Sequence, residues 1–277
     1  MSEQNRPSIL VIGGKGKTGS RVAERLKNAG FPVRIGSRSE QPSFDWNSPD
    51  TWESALEGME RVYITYYPDL LVPEAEEAIG AFAKTAVKQG VRRLVLLSGR
   101  GEEEAQRCEQ AVLNAGAETT ILRASWFAHN FSESFLLDGV REGRIELPAG
   151  DVPEPFVDVE DIADAAFAAL TEDRHIGKVY ELTGPRSLSF AQAASEISAA
   201  LNRSVTYTQI PHEEFIRSMR DQQVPEDITY VMDVLFGRVL DGRNAEPASG
   251  VLEAAGRPPA DFADYVRRTA ASGAWDR

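Results

Sequence analysis

Residues 14 to 19 read GKGKTG, and two phosphate-binding patterns overlap in them. One is Gly-Lys-Thr, the end of the loop with which ATPases wrap a β-phosphate. That loop needs a glycine at position 11, where this chain has Val11 inside an apolar run, and without it the backbone cannot easily turn its amides around the phosphate. The other is Gly14-x-Gly16-x-x-Gly19, the fingerprint of a dinucleotide site. Gly14 permits a tight turn, Gly16 lets backbone approach a pyrophosphate, and Gly19 allows close packing of helix on strand. Gly13 leads into the turn, and Lys17 and Thr18 open a helix whose first amides would face the phosphates. The apolar run SILVI (8–12) before the loop and the amphipathic segment 17–29 after it favour the dinucleotide reading.

The next strand selects the cofactor. An NAD site places Asp or Glu about 20 residues past the glycines to bind the ribose 2′-hydroxyl. Here the chain reads VRIGSRS, with Ser37 and Arg38 at the strand end and Arg34 nearby. A hydroxyl and a guanidinium suit the 2′-phosphate of NADP(H), which a carboxylate would repel. Arg38 could also be a solvated loop residue, and Arg34 reads as a bystander.

Other chemistries find little support. Three histidines (His129, His175 and His212) and the single Cys108 show no metal-ligand spacing, so no metal site is expected. Cys108 lies in a helical pattern with no lysine or histidine neighbour and reads as packing; a lone cysteine fits a reducing cytoplasm. The net charge is −13, from 43 acidic and 30 basic residues, with no basic cluster, so neither nucleic acid nor an anionic membrane is an expected partner. No apolar run approaches the roughly 18 residues of a membrane span, and MSEQNRPS does not read as a signal peptide.

The elements that must hold the loop are legible. SILVI (8–12), PVRIGS (32–37), RVYITYY (61–67), RRLVLLS (92–98) and TTILRA (119–124) read as buried strands. Between them lie helical patterns over 17–29, 49–58, 73–89 and 103–115, several closed by glycines suited to C-caps: Gly30, Gly58, Gly90 and Gly116. Such alternation predicts a Rossmann-type, doubly wound parallel sheet with helices on both faces. The Pro- and Gly-rich stretch ELPAGDVPEP (146–155) reads as a linker. Beyond it come a helix over 156–171 entered through Asp158, a strand at 178–184, a helix at 189–202, a short strand at 204–210 and helices near 212–222 and 225–240. This predicts a cofactor domain over 1–150, with 156–184 packing back onto it, and a small, mostly helical C-terminal substrate-side cap over 185–277.

With these residues in view the chain resembles the NmrA-like, atypical short-chain dehydrogenase group, most of all the ergot-alkaloid-type NAD(P)H-dependent reductases and their bacterial relatives. The resemblance rests on GGKGKTG (13–19), GSRS (36–39), FDW (44–46), RRLVLLS (92–98), ILRASWFAHNFSE (121–133), PFVDVEDIADAAFAALT (155–171) and LTGPRSLSFAQAA (182–194). It implies that Asp45 and Trp46 help enclose the adenine and that Thr65, Tyr66 and Tyr67 run beside the ribose and phosphates. It further implies that Leu97, Ser98 and Gly99 approach the nicotinamide, and that Trp126, Phe127 and Asn130 form part of the substrate pocket. Each of these aromatic rings could equally be ordinary packing.

The pattern breaks at one point. Ordinary short-chain dehydrogenases use Tyr-x-x-x-Lys, in which the lysine lowers the tyrosine's pKa so that it can protonate a developing alkoxide. None of the seven tyrosines here (63, 66, 67, 180, 207, 230 and 265) has lysine four residues on, and the helix that would carry the pair reads EEEAQRCEQAVLNAG. Hydride addition to an iminium needs no proton in the transition state, and conjugate reduction of an activated alkene can take its proton from water or a nearby acid. Ser98, Trp126 and His129 are the catalytic candidates, His129 because imidazole titrates near neutrality. Glu102, Glu103 and Glu104 could stabilise a cation or simply form a solvated helix start. The expectation is an NADPH-dependent reductase of a small imine, iminium or activated alkene. The alternative is a catalytically silent NADP(H) sensor of the NmrA type. The oligomeric state is not written in any of these features.

Overall fold

The computed structural model describes residues 6–276. In chain order it contains β1 (Ile9–Ile12), α1 (Lys17–Asn28), β2 (Val33–Gly36), α2 (Trp52–Leu56), β3 (Arg61–Ile64), α3 (Ala75–Lys88), β4 (Arg93–Gly99), α4 (Glu103–Leu113) and β5 (Glu118–Ala124). Then come α5 (Asn130–Glu133), α6 (Leu137–Glu142), β6 (Arg144–Leu147), α7 (Val159–Thr171) and β7 (Val179–Leu182). The chain finishes with α8 (Phe190–Leu201), β8 (Thr206–Gln209), α9 (His212–Asp221), α10 (Glu226–Val234), α11 (Gly250–Ala255) and α12 (Phe262–Ala271). Two compact units result. The first holds the chain to Ala124 with Glu160–Glu181 and Gly250–Gly256; the second holds Ser125–Val159, Leu182–Ser249 and the chain from Arg257.

The first unit is built on the expected sheet, ordered β2-β1-β3-β4-β5-β7. Its paired strands run parallel, with Ile9 opposite both Val33 and Arg61, Arg61 opposite Arg93, and Arg93 opposite Glu118. Ile9 to Ile12, Val62 to Ile64 and Leu94 to Leu96 are all buried, as a sheet covered on both faces requires. Chain direction across the sheet reverses at β1 and β3, whose carboxyl ends therefore frame a crevice. Gly30, Gly58, Gly90 and Gly116 all take positive φ past their helices, as C-terminal glycines do. Ion pairs fasten α1 to α7: Arg25 to Asp164 at 2.5 Å and to Glu160 at 2.7 Å, and Arg21 to Glu160 at 2.6 Å.

The second unit is mostly helical. Its core is aromatic, with Phe131, Phe156, Phe190, Phe262, Tyr265 and Trp275 buried together. Helix α8 starts at Ser189, whose hydroxyl accepts the Gln192 amide while the Gln192 side chain accepts the Ser189 amide, a reciprocal cap. The expected linker begins inside a strand: β6 pairs in parallel with β8, Ile145 opposite Tyr207, in a two-stranded sheet. Four residues alternating exposed and buried are too short a pattern to separate from loop by periodicity alone. The helix expected over 49–58 is a 3₁₀ turn at Pro49–Thr51 running into α2. The one expected over 225–240 is α10 followed by a π-helical turn at Leu235–Val239. Helices α5, α6, α11 and α12 carry no sequence expectation.

Candidate functional site

The glycine loop turns tightly at Gly13 rather than at Gly14. Gly13 sits at φ +66°, and a Cβ there would meet Thr65 Oγ1 at 2.4 Å. A Cβ on Gly19 would lie 2.3 Å from the Gly13 carbonyl oxygen, so α1 approaches the loop as closely as two backbones can. Gly16 is the N-cap of α1, where a Cβ would meet only the Gly13 oxygen, at 3.2 Å. No side chain caps the helix and no acid lies in its first turn, so the amides of Lys17, Thr18 and Gly19 begin a 12-residue helix dipole suited to an anion. Thr65 closes the other side of the crevice: its hydroxyl donates to Ile12 O, and its carbonyl accepts the Trp46 indole N–H at 3.1 Å.

At the end of β2, Ser37 is half-buried, and its hydroxyl lies 3.3 Å from that of Ser39. Arg38 is exposed and makes no hydrogen bond or ion pair among the described residues. Arg34 is occupied elsewhere, donating to the carbonyls of Ser54, Ala55 and Glu57 at the end of α2. One acid does stand close in sequence, Glu40, but Lys15 neutralises it at 2.7 Å. Asp45 fixes its own loop by accepting the Asn47 amide, while Trp46 packs on Tyr66 (4.8 Å), Phe44 (5.1 Å) and Phe82 (5.2 Å). Burial raises the Tyr66 pKa, with Glu74 and Cys108 adding to it, whereas Tyr67 is 68% exposed.

The end of β4 differs most from its sequence reading. Ser98 is buried, and its hydroxyl donates to Glu109 Oε1 at 2.6 Å; Glu109 in turn holds Arg123 of β5 in a two-pronged ion pair, at 2.6 Å for the closer contact. Glu102 is not a solvated helix start. It is 8% exposed, and its carboxylate lies so close over Gly99 that a Cβ there would sit 2.0 Å from Cδ. Glu103, which begins α4, is exposed as expected. Sequence reasoning also passed over Asp69, beyond β3. Burial pushes its carboxyl up to about 6, against the pull of the Leu71 and Leu70 amides. A lone Asp after Pro68 carries no pattern that announces this, because the shift comes from packing. Cys108 is buried with its thiol pushed up to about 12 by burial, which makes it inert.

Trp126, Phe127, His129 and Asn130 fall in the second unit. Trp126 is half-buried against Phe236 (5.0 Å) and Phe190 (5.6 Å). Phe127 bridges to Val157, and its carbonyl accepts the Asn130 amide. His129 is buried against the Tyr265 ring at 4.8 Å, its Nδ1 accepting the Val159 amide at 3.4 Å and facing Asp158 at 3.8 Å. Asp158 is itself ion-paired to Arg268. Among the described residues, no group of His, Cys, Asp and Glu is arranged to hold a metal, and no helix is long and apolar enough to cross a membrane.

Residues 43–253 match the profile of the NmrA-like family. The chain belongs to that family. It is 31% identical to agroclavine dehydrogenase of Claviceps fusiformis, covering 94% of this chain and 96% of the relative. It is 31% identical to the uncharacterized oxidoreductase YesF of Bacillus subtilis, covering 98% and 97%. Among solved structures, the NADPH complex of the quinone oxidoreductase QOR2 from Escherichia coli superposes with a TM-score of 0.75 at 21% identity, over 94% of this chain and 99% of that one. The glycine loop at 13–19 lies before the span the family profile matches, so its assignment rests on its own geometry.

Proposed function

We propose that this protein is an NADPH-dependent reductase of a small organic molecule, its electrophile an imine, an iminium or an activated double bond. The observation that carries the reading is the crevice between β1 and β3. It has glycines where a side chain would collide, an uncapped α1 facing it, and the unpaired Arg38 beside Ser37 at the adjoining strand end. Relatives described as a dehydrogenase and an oxidoreductase, alike almost end to end, support it. The lone buried thiol suits a cytoplasmic enzyme.

In this reading the amides of Lys17, Thr18 and Gly19 bind the pyrophosphate, with Gly13, Gly14 and Gly16 clearing its approach. Ser37 and Arg38 take the 2′-phosphate, which gives NADPH preference over NADH. Asp45 and Trp46 flank the adenine, Thr65 to Tyr67 follow the ribose and phosphates, and Leu97 to Gly99 lie toward the nicotinamide. The bound cofactor supplies a hydride. The protein's part is alignment and charge: the Glu102 carboxylate over Gly99 offers negative charge to a cationic electrophile, a task that needs no Tyr/Lys pair. Ser98, with its proton held by Glu109, serves to position the end of β4. The resemblance assigns Trp126, Phe127 and Asn130 to the substrate.

The test is NADPH oxidation with a panel of cyclic imines, iminium salts, enones and simple ketones, with pH profiles on the best substrate. Imines, iminium salts or enones should turn over in preference to ketones. His129→Ala and Ser98→Ala should change kcat by well under the ~10²–10⁴-fold that accompanies loss of a general acid. Trp126→Ala should raise KM and lower kcat together. Preference for ketones with a collapse of kcat in His129→Ala would overturn the reading. Tight NADPH binding with no turnover across the panel would also do so, in favour of a sensor.

A further inference from the structure

The second unit carries an open surface pocket of about 590 Å³, lined by none of the residues assigned to cofactor or substrate above. Its apolar side is Pro148, Val234 and Phe236, and its polar side is His212, Asp233 and Arg238. Phe236 is buried and backed by Trp126 at 5.0 Å and Phe215 at 5.1 Å. His212 opens α9, and its Nε2 lies 2.6 Å from Asp233 Oδ1 on α10. The chain then passes into the π-helical turn Leu235–Val239, which interrupts the regular helix at the cavity, a feature often found at functional sites. Gly237 in that turn lets the imidazole lie against backbone: a Cβ would meet His212 Cε1 at 3.2 Å and Nε2 at 3.4 Å.

A carboxylate only accepts, so Nε2 carries the proton that Asp233 receives; in the neutral form of the ring Nδ1 is then an acceptor. Among the described residues no hydrogen-bond donor reaches Nδ1. An acceptor beside the apolar residues Pro148, Val234 and Phe236 suits a planar ring bearing a hydroxyl.

We propose that this cavity binds a planar aromatic alcohol, its ring against Phe236, Val234 and Pro148 and its hydroxyl donating to His212 Nδ1. The assignment goes beyond the reductase reading and does not rest on it, because binding here needs no NADPH.

Calorimetry on the full chain without cofactor tests it, with 2-naphthol and 2-methoxynaphthalene as probes. The two differ in the hydroxyl proton. The parent should bind 2-naphthol about three- to tenfold more tightly, the worth of one hydrogen bond. His212→Phe, at a side chain 34% exposed, should keep the fold and erase the preference while retaining affinity for the ring. Gly237→Val, which crowds the pocket against the His212 ring, should weaken both probes and leave circular dichroism unchanged. Equal affinities in the parent, a preference that survives His212→Phe, or no saturable binding of either probe would overturn the proposal.

Discussion

Two glycines in one loop face different constraints. A side chain on Gly19 would drive into the Gly13 carbonyl at 2.3 Å, whereas one on Gly16 meets it at 3.2 Å, a contact that a small local shift relieves. Gly19→Val should therefore destabilise the fold, by about 1–3 kcal/mol for a small-to-large change against backbone. Gly16→Val should melt near the parent but lose NADP affinity by at least about tenfold, roughly 1.4 kcal/mol. Calorimetry showing unchanged affinity in Gly16→Val would remove the pyrophosphate from this loop. Arg38 is the other residue whose role is separable, because none of the described residues hydrogen-bonds or ion-pairs with its guanidinium. Arg38→Ala should weaken NADPH by about tenfold, leave NADH unaffected and keep the melting temperature. Equal weakening of both cofactors would point to general electrostatics instead.

At the scale of elements, β4, α4 and β5 are joined by three polar side chains. Ser98 donates to Glu109, and Glu109 holds Arg123, with the carboxylate only 4% exposed. The energetics of such a pair are asymmetric: its net worth against an apolar substitute is small, but removing one partner strands the other. Glu109→Ala strands the partly buried Arg123 and frees the Ser98 hydroxyl, so it should cost about 2–4 kcal/mol in a urea titration. Glu109→Gln, which keeps an acceptor for Ser98, should cost less. If both variants unfold at the parent's midpoint, the carboxylate does not organise the strand end. A similar arrangement joins α1 and α7 through Arg21 and Arg25 with Glu160 and Asp164. Burial works against ionisation of Glu160, yet the hydrogen bonds and charges of the two arginines bring its pKa below the ordinary value.

At the scale of the whole molecule, a buried imidazole links stability to pH. His175 is 0% exposed, its Nδ1 2.9 Å from the Tyr180 hydroxyl and its Nε2 3.7 Å from the Glu172 carboxylate. Burial lowers its pKa, and Arg174 and Arg93 add to this against the opposing pull of Glu172. The folded state therefore binds this proton less readily than the unfolded chain, whose histidine titrates near 6.5. Its contribution is complete above that value and is lost as pH falls toward the lower, folded pKa. Melts of the parent and of His175→Phe from pH 8 to 5 should show a steeper decline in the parent, by at most about 1.4 kcal/mol per pH unit. Parallel pH profiles would show that other groups govern acid sensitivity.

The sequence by itself determined the sheet and the glycine loop after its first strand, because both are local. Strand runs buried on two faces, glycine-ended helices and the spacing Gly14-x-Gly16-x-x-Gly19 are readable without knowing what packs where. The chain's own residues also showed the missing Tyr/Lys pair. Tertiary structure decided what depends on neighbours distant in sequence. Glu102 reads as one of three acids at a helix start until the fold lays it over Gly99. Ser98 reads as a catalytic candidate until its hydroxyl is seen to donate to Glu109, and Asp69 draws no notice until burial shifts it. His212 and Asp233 are 21 positions apart, on two helices, and no spacing rule pairs them. Hydrogen-bond partners and local dielectric are properties of the packed chain, so side-chain chemistry was settled only when the elements came together.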